Sequence, residues 1–216
     1  MKLEELLRGL DGLEMGPEAG VEIASLAYDS RRVQRGTLFF AIQGEKADGH
    51  AFIPQALERG AVAVVSECAP PSNMASRWVR VPRIRRALSL VARRFFGHPD
   101  EHLKLIGITG TNGKTTTAFL LDSILHAAGI SSALIGTIEY RVGGRTLPAL
   151  NTTPESLDLW SYLAQTVEAG GAGVVMEVSS HALAQERVWG FPYSVAVNLV
   201  RLTQFSRHLL SSLSKR

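Results

Sequence analysis

The order of apolar and polar positions along the chain predicts an α/β fold built from two segments. In the first segment, short apolar runs are separated by polar turns, and one longer stretch carries apolar residues three and four positions apart. The first pattern is typical of buried strands, and the second of a helix packed on one face. The predicted strands are 23–28, 37–42, 61–65 and 78–81; the predicted helices are 50–59 and one with its apolar face at Ile84, Leu88, Val91, Ala92 and Phe95.

The second segment alternates strands and helices more regularly. Its predicted strands are 103–109, 132–140 and 173–178, its predicted helices are 114–128 and 155–169, and a further strand starts at 194–197. Apolar strands alternating with helices indicate a mostly parallel sheet covered on both faces. Glycine and proline punctuate 97–102, so we predict a small α/β domain at 1–97 and a second α/β domain at 98–216.

Composition and charge narrow the class of protein. Of 216 residues, 45% are hydrophobic, and Lys and Arg exceed Asp and Glu by 23 to 20, which is typical of a folded globular chain. With no apolar run long enough to cross a membrane and no signal peptide, we expect a cytoplasmic monomer without membrane insertion. The arginines between 77 and 94 alternate with apolar positions, which favours a solvated helix face over a nucleic-acid surface. Cys68 is the single cysteine, which excludes an internal disulfide, and we expect it to be small and half-buried in the core.

The strongest chemical signal is a glycine-containing loop between a predicted strand and a predicted helix, Thr109-Gly-Thr-Asn-Gly-Lys-Thr-Thr116. Glycines allow backbone amides to converge on phosphate oxygens, and the helix N-terminus adds a partial positive charge. In such a loop Lys114 neutralises the β- and γ-phosphates and the Thr115 hydroxyl binds Mg²⁺. The predicted ATP-binding residues are Gly110, Thr111, Asn112, Gly113, Lys114, Thr115 and Thr116.

An ordinary glycine turn before a helix is the alternative interpretation of this loop, because Ile108 replaces the first glycine of the standard motif. The strand before the loop and the amphipathic helix after it favour the phosphate-binding interpretation. The apolar face expected for that helix consists of Leu120, Leu121, Ile124, Leu125 and Ala128.

Glu177 interrupts an otherwise apolar predicted strand. A buried carboxylate is costly unless a cation pairs with it. Open α/β sheets bind their ligands at the C-terminal edge of the strands, so Glu177 is predicted to be a Mg²⁺ ligand together with Thr115. An ordinary buried ion pair is the alternative.

Four separated motifs resemble those of the Mur ligases, the ATP-dependent amide-bond ligases of peptidoglycan synthesis, and among these the MurE type. The phosphate loop is similar to theirs, whereas the related folylpolyglutamate synthetases usually carry Gly-Ser after the lysine. The remaining motifs, in family order, are Asp29-Ser-Arg-Arg with Asp48-Gly-His-Ala-Phe-Ile53, Asn151-Thr-Thr-Pro-Glu155, and Glu177-Val-Ser-Ser-His-Ala-Leu-Ala-Gln-Glu-Arg187. This resemblance, which covers residues 1 to about 197, implies a UDP-muramoyl-substrate domain followed by part of an ATP-binding P-loop domain.

The resemblance implies that these motifs bind UDP-N-acetylmuramoyl-L-alanyl-D-glutamate. Ser30 contacts the uridine diphosphate end, and Arg187 holds the free carboxylate of the D-glutamyl residue through a bidentate fork. His181 either supports the binding residues or is an ordinary surface histidine. The Asn-Thr-Thr-Pro motif is also a helix start, with Thr153 as N-cap and Pro154 in the first turn, and both interpretations can hold. The residues that hold the peptide are Asn151, Thr152, Thr153, Ser179, Gln185 and Arg187, with a weaker match at Glu45, Lys46 and Ala47.

The reaction implied by the resemblance adds a diamino acid, meso-diaminopimelate or L-lysine, to this substrate. ATP phosphorylates the γ-carboxylate of the D-glutamyl residue, and the amine of the incoming amino acid then displaces phosphate. Lys114 and Glu177 are the predicted catalytic residues, and Thr115 and Glu177 the predicted Mg²⁺ ligands. The alternatives are a non-catalytic fragment that binds UDP-sugar and ATP, and a P-loop switch ATPase or GTPase, which leaves the other motifs unexplained.

The sequence departs from the family pattern after Val197. The family continues with Asn-Leu-Thr-Arg-Asp-His-Leu-Asp, whereas this chain reads Asn198-Leu-Val-Arg-Leu-Thr-Gln-Phe205. The family's later carbamylated lysine and its third domain have no counterpart. We therefore expect a truncated or frame-shifted form of such a ligase, which binds its substrates without forming the amide bond at a useful rate. With no third domain, the choice of diamino acid stays open.

Overall fold

A computed structural model describes residues 1–16, 20–44 and 47–199 of the chain. The chain divides into two compact units between Phe95 and Phe96, close to the loop at 97–102 where the sequence predicts a boundary. Each unit contains one sheet with its own helices. None of the helices in this described part combines the length and the apolar character that crossing a membrane requires.

The first unit, as far as it is described, contains a five-stranded sheet. Its strands are β1 (Glu14–Met15), β2 (Ser25–Ala27), β3 (Thr37–Phe40), β4 (Ala61–Ser66) and β5 (Trp78–Arg80), and its helices are α1 (Leu3–Leu7), α2 (Ile53–Glu58) and α3 (Ile84–Phe95). The sheet order is β1-β5-β4-β3-β2; strands β2 to β5 run parallel, and β1 is antiparallel to β5.

Strands β3 and β4 form the centre of this sheet. Every residue of β3 is buried, as are nearly all residues of β4, which explains their continuous apolar sequence. Phe39 and Val64 belong to a core cluster that Trp78 of β5 completes. The apolar face predicted for α3 is confirmed, because Ile84, Leu88, Val91 and Ala92 are buried.

The second unit contains a six-stranded sheet in its described residues. Its strands are β6 (Lys104–Thr109), β7 (Ser132–Ile135), β8 (Glu139–Val142), β9 (Arg145–Pro148), β10 (Gly173–Glu177) and β11 (Val195–Asn198), and its helices are α4 (Lys114–Ala127), α5 (Ser156–Glu168) and α6 (Ser180–Ala184). The order is β11-β6-β10-β7-β8-β9, with the first four strands parallel and the β7-β8-β9 pairings antiparallel. The predicted α/β fold with mostly parallel sheets is confirmed.

Parallel pairing brings the carboxyl ends of the central strands to one edge of this sheet. Glu177 at the end of β10 is in register with Ile108 of β6, and its neighbour Met176 is in register with Ile135 of β7. The phosphate loop follows β6 directly, so it starts beside Glu177. This edge is where open α/β sheets bind ligands.

The single strand predicted at 132–140 is wrong. The chain forms β7 and β8 instead, and these two strands pair antiparallel around a turn at 136–138. Gly136 lies against the Glu177 carboxylate, where a Cβ atom would stand 2.5 Å from Oε1. The backbone amide of Thr137 donates to the same oxygen. This contact with a distant strand turns the chain, and no local pattern signals it.

The burial predicted for Cys68 is also wrong. Cys68 is exposed, just beyond the end of β4. Its backbone is nevertheless held: the amide donates to the Ser66 hydroxyl at 3.0 Å, and the carbonyl accepts from the Trp78 indole at 2.8 Å. The core therefore fixes the main chain of Cys68 and leaves its thiol at the surface.

Helix α4 packs with a different face from the one predicted. Leu120 and Ile124 are 60% and 61% exposed, and Ala128 beyond the helix is exposed as well. The side against the sheet is formed by Ala118 with Leu121 and Leu125. Buried Asp122 belongs to this side and accepts a hydrogen bond of 2.7 Å from Ser132 of β7. A polar anchor thus takes part in choosing the packed face, which apolar spacing alone does not reveal.

Candidate active site

The phosphate-type loop has the backbone shape that its glycines predict. Gly110 has φ +145° and Gly113 has φ +81°, both in the region that favours glycine. Gly113 is the N-cap of α4, and no side chain caps this helix. Residues 111–113 are exposed, so the first-turn amides of α4 and the helix dipole lie beside an accessible loop. This is the geometry of an anion-binding helix N-terminus.

Gly110 is required by space as well as by conformation. A Cβ atom at this position would lie 2.7 Å from Cβ of Leu199, the residue that follows β11. The amide of Leu199 donates to the carbonyl of Thr109 at 2.9 Å. The base of the loop is therefore packed tightly against the chain beyond β11, and only glycine fits there.

Lys114 folds over the phosphate loop. Its Nζ donates to the carbonyl of Gly110 at 2.7 Å, and the side chain is partly exposed. The ammonium group therefore lies on the loop that it is predicted to serve, held by one neutral acceptor. A phosphate oxygen is a stronger acceptor for an ammonium than a backbone carbonyl.

Glu177 is fully buried, with 0% of its surface exposed. Its Oε2 accepts hydrogen bonds from the Thr115 hydroxyl at 3.0 Å and from the Thr137 hydroxyl at 3.2 Å. Its Oε1 accepts from the backbone amide of Thr137 at 2.9 Å. Both predicted metal ligands, Thr115 and Glu177, are therefore in direct contact.

The surroundings of Glu177 fit a divalent cation. The described residues give this carboxylate three neutral hydrogen-bond donors and no ion pair, so the predicted alternative of a buried ion pair is not found among them. A buried carboxylate without a cation is costly. The described residues contain no group of three or more His, Cys, Asp or Glu side chains suited to a metal. This fits Mg²⁺, which takes one or two protein ligands and completes its shell with phosphates and water.

The Asn-Thr-Thr-Pro loop borders the same carboxylate. The buried Thr153 hydroxyl donates to the carbonyl of Glu177 at 2.9 Å and accepts from the amide of Ser179 at 3.0 Å. Helix α5 begins only at Ser156 with Glu155 as N-cap, so the prediction of Thr153 as N-cap is wrong. The Thr153 side chain is committed to β10 instead of to the helix.

The two residues before Thr153 lie nearer the surface. The hydroxyls of Thr137 and Thr152 are 3.2 Å apart. Asn151 is exposed, and its backbone is clamped by Tyr140: the hydroxyl donates to the Asn151 carbonyl and accepts from its amide at 3.0 Å. Desolvation raises the pKa of Tyr140, so its hydroxyl stays protonated in this clamp. The amide side chain of Asn151 is left at the surface.

Arg187 is fixed by several partners on the same side of the site. Its Nε lies 3.0 Å from Oε1 of Glu155 and donates to Oε1 of Gln185 at 2.9 Å, while Nη1 donates to the carbonyl of Thr153 at 3.0 Å. The pairing of Arg187 with Glu155 shows that this guanidinium binds a carboxylate in the described chain. It also ties the Asn-Thr-Thr-Pro loop to the segment after α6.

The turn after α6 explains how Arg187 reaches that loop. Ser179 caps α6 by accepting from the amide of Ala182 at 3.1 Å. Glu186 adopts a left-handed φ of +56°, and the amide of Arg187 bonds back to the carbonyl of Ala182 at 2.9 Å, as in a Schellman cap. Exposed His181 lies on this short helix.

Ser30 belongs to the first unit, in a 3-10 turn after β2 that Asp29 caps. Its side chain is buried and donates to Oε1 of exposed Gln55 at 2.6 Å. The Arg31 guanidinium contacts both oxygens of Asp29 and holds the pKa of that carboxyl below its usual range. Of the weaker predicted substrate loop, Ala47 is exposed, and Glu45 and Lys46 lie outside the described residues.

The structure adds three residues that the sequence motifs did not single out. Thr137 binds Glu177, Tyr140 clamps Asn151, and Gln55 accepts from Ser30. Only Thr137 has a sequence signal, since it follows a glycine at the end of an apolar run. The other two are ordinary surface or strand residues until the fold places them.

Comparison with protein-family models identifies both units. The model described as "Mur ligase middle domain" matches residues 108–204, and the model described as "Mur ligase family, catalytic domain" matches residues 22–96. The middle-domain match extends beyond Val197, where the motif resemblance ends.

Curated relatives carry the same name in different bacteria. The UDP-N-acetylmuramoyl-L-alanyl-D-glutamate–2,6-diaminopimelate ligase of Solibacter usitatus is 59% identical over 190 residues, which are 87% of this chain and 38% of that ligase. The ligase of that name from Geobacter metallireducens is 47% identical over 203 residues, 93% of this chain and 40% of that ligase. The chain thus spans about two fifths of the length of these relatives.

Solved structures agree with the sequence comparisons. A UDP-N-acetylmuramoyl-L-alanyl-D-glutamate–2,6-diaminopimelate ligase superposes with a TM-score of 0.78 at 25% identity, covering 99% of this chain and 44% of that one. The MurF ligase of Thermotoga maritima in complex with ADP has a TM-score of 0.55 at 24% identity, covering 83% and 38%, and supports the fold alone. With two family models that together match most of its length and relatives of one name, the chain belongs to the Mur ligase family.

Proposed function

We propose that this chain binds ATP with Mg²⁺ in its second unit and UDP-N-acetylmuramoyl-L-alanyl-D-glutamate through Ser30 and the Asn151–Thr153 loop. In this proposal it is the substrate-binding and ATP-binding part of a ligase that adds 2,6-diaminopimelate. The observation that carries the proposal is the contact between Thr115 and the buried Glu177 carboxylate beside the phosphate loop. A hydroxyl and a carboxylate in this position are the ligands that Mg²⁺–nucleotide sites use.

The nucleotide half of the proposal rests on the loop from Gly110 to Thr116. Backbone amides at the start of α4 would bind phosphate oxygens, and Lys114 would leave the Gly110 carbonyl for the β- and γ-phosphates. Thr115 and Glu177 would hold Mg²⁺, which neutralises charge on the transferring phosphoryl group. Each of these groups is already at the same edge of the sheet, so little reorganisation is needed.

The substrate half rests on polar groups that border the same carboxylate. Asn151 exposes its amide, and Thr152 is a neighbour of Thr137. Arg187 is held next to them by Glu155 and Gln185, so a substrate carboxylate would compete with that of Glu155 for the guanidinium. The diaminopimelate ligases named above are relatives at high identity, and their name supports both the peptide substrate and the choice of diamino acid.

In the proposed reaction an oxygen of the D-glutamyl γ-carboxylate attacks the γ-phosphorus of ATP, and the bond to ADP breaks. The amine nitrogen of diaminopimelate then attacks the acyl carbon, phosphate leaves with the bonding electron pair, and the nitrogen loses a proton. In this chain, Lys114 would stabilise negative charge in the first step, and Arg187 and Asn151 would orient the peptide. Positioning of this kind accounts for a large part of the rate of such reactions.

Calorimetric titration of the chain with ATP and Mg²⁺, and separately with UDP-N-acetylmuramoyl-L-alanyl-D-glutamate, tests the proposal. Saturable binding of both ligands is the expected result. Failure to bind ATP in the presence of Mg²⁺ would overturn the nucleotide half, and failure to bind the UDP-sugar would overturn the substrate half. Mass analysis after adding both ligands and diaminopimelate then distinguishes a binding role from the complete ligation.

A further inference from the structure

Thr137 contacts Glu177 in two ways, from the turn between β7 and β8. Its backbone amide donates to Oε1 at 2.9 Å, and its hydroxyl donates to Oε2 at 3.2 Å. Oε2 also accepts from Thr115 at 3.0 Å. Of the three hydrogen bonds that hold this buried carboxylate, two therefore come from one residue.

Two hydrogen bonds from one residue fix the orientation of the carboxylate plane. With a single donor, the Glu177 side chain could rotate about its last torsion and turn Oε2 away from Thr115. The amide of Thr137 holds one oxygen and its hydroxyl holds the other, so the oxygen next to Thr115 stays in place. A metal ligand held in this way needs no rearrangement when the cation arrives.

The hydroxyl of Thr137 also reaches the Asn-Thr-Thr-Pro loop. It lies 3.2 Å from the hydroxyl of Thr152. A hydroxyl has one proton and can accept as well as donate, so when Thr137 donates to Glu177 its oxygen can accept from Thr152. A chain of side-chain contacts thus runs from the proposed peptide loop to the proposed metal ligand.

We infer that Thr137 is a positioning residue that orients Glu177 toward Mg²⁺ and connects it to Thr152. This inference rests on the proposed function, because it assigns Thr137 to the Mg²⁺–ATP site. Thr137 is exposed, so its hydroxyl does not serve the hydrophobic core. Its contribution is therefore expected in metal binding rather than in folding.

Replacement by valine isolates the hydroxyl. Thr137→Val keeps the backbone amide and the β-branched shape but removes the donor to Oε2, whereas Thr137→Ser keeps the hydroxyl. Thr146→Val is the matched control, since Thr146 is an exposed threonine on β9 of the same unit. Thermal unfolding of each variant checks that the fold is retained.

The measurement is the affinity of each variant for ATP as the Mg²⁺ concentration is varied. For Thr137→Val, the Mg²⁺ concentration that gives half of the full affinity gain should rise about tenfold, as expected for losing one hydrogen bond to a charged group. ATP affinity without Mg²⁺ should not change, and Thr137→Ser and Thr146→Val should behave as the parent chain does. A merely structural role would not separate the two conditions.

Two outcomes overturn the inference in different ways. If the parent chain shows a Mg²⁺-dependent gain that Thr137→Val leaves unchanged, or if Thr137→Ser is as impaired as Thr137→Val, Thr137 does not position Glu177 through its hydroxyl. If the parent chain shows no Mg²⁺-dependent ATP binding at all, the proposed function fails and this inference fails with it.

Discussion

The hydroxyl of Thr115 donates to Oε2 of Glu177 at 3.0 Å, although the two residues are 62 positions apart in the chain. Thr115 lies in the first turn of α4, after β6, and Glu177 ends β10. The parallel pairing of β6 with β10 brings the two together. The contact joins the phosphate-type loop to a buried carboxylate and makes one site of two separate motifs.

Lys114→Ala should abolish ATP binding and leave the fold intact. The lysine donates to one loop carbonyl and is partly exposed, so its removal should change the free energy of unfolding by less than about 1.5 kcal/mol. Lys104→Ala, at the exposed start of β6, is the control and should bind ATP normally. Calorimetry and denaturant unfolding check both variants, and a large loss of stability in Lys114→Ala before nucleotide is added would count against this role.

Ser30→Ala should weaken binding of the UDP-sugar substrate by about 1 kcal/mol, the worth of one net hydrogen bond. ATP binding should be unchanged, since Ser30 and the phosphate loop belong to different units. Gln55→Ala separates the two effects, because it removes the acceptor of Ser30 and keeps the hydroxyl. Equal weakening of both ligands by Ser30→Ala in calorimetry would refute the assignment of Ser30 to the substrate.

Gly136→Ala should disturb Glu177 directly. The added Cβ would lie 2.5 Å from Oε1, and the carboxylate cannot move away without losing hydrogen bonds to Thr137 or Thr115. We expect a loss of about 1–3 kcal/mol in unfolding free energy and weaker Mg²⁺-dependent ATP binding.

The control for this change is Gly173→Ala in β10, where the nearest atom to the new Cβ is at an ordinary 3.5 Å. Denaturant unfolding of both variants makes the comparison. If Gly136→Ala is as stable as Gly173→Ala and binds ATP with Mg²⁺ as the parent chain does, the close approach of Gly136 to the carboxylate is not a constraint.

Thr153→Val should destabilise the second unit by about 1–3 kcal/mol. The buried hydroxyl bridges the carbonyl of Glu177 and the amide of Ser179, and valine would leave both backbone groups without this partner. Thr152→Val, at a partly exposed position beside it, should cost less. Chemical denaturation ranks the two, and an equal or reversed order would contradict the structural role of Thr153.

The phosphate-type loop was predictable because its signals are local. The apolar strand, the two glycines and the helix after Gly113 lie next to one another in the sequence, and the structure places β6, the loop and α4 at nearly the predicted bounds. Strand-helix alternation likewise predicted the parallel order of the sheet.

The failures of sequence reasoning lie where distant residues decide the local structure. Thr137 is 40 positions from Glu177, whose carboxylate turns the chain and splits the predicted strand. Thr153 forgoes the N-cap because a carbonyl 24 positions away accepts its hydroxyl. The exposed face of α4 is set in part by the contact of Asp122 with Ser132 on the neighbouring strand. Such contacts follow from the completed fold and not from periodicity.

Glu177→Gln provides the most direct test of the central claim, that Thr115 and Glu177 form the Mg²⁺ site of a nucleotide-binding loop. The amide keeps the size of the side chain and removes the charge that a cation requires. Glu139→Gln on β8, whose carboxylate pairs with Arg141, is the control. ATP affinity is measured with and without Mg²⁺ for the parent chain and both variants. We predict that Mg²⁺ strengthens ATP binding by the parent chain and by Glu139→Gln, and has no effect on Glu177→Gln; an undiminished Mg²⁺ effect in Glu177→Gln would contradict the claim.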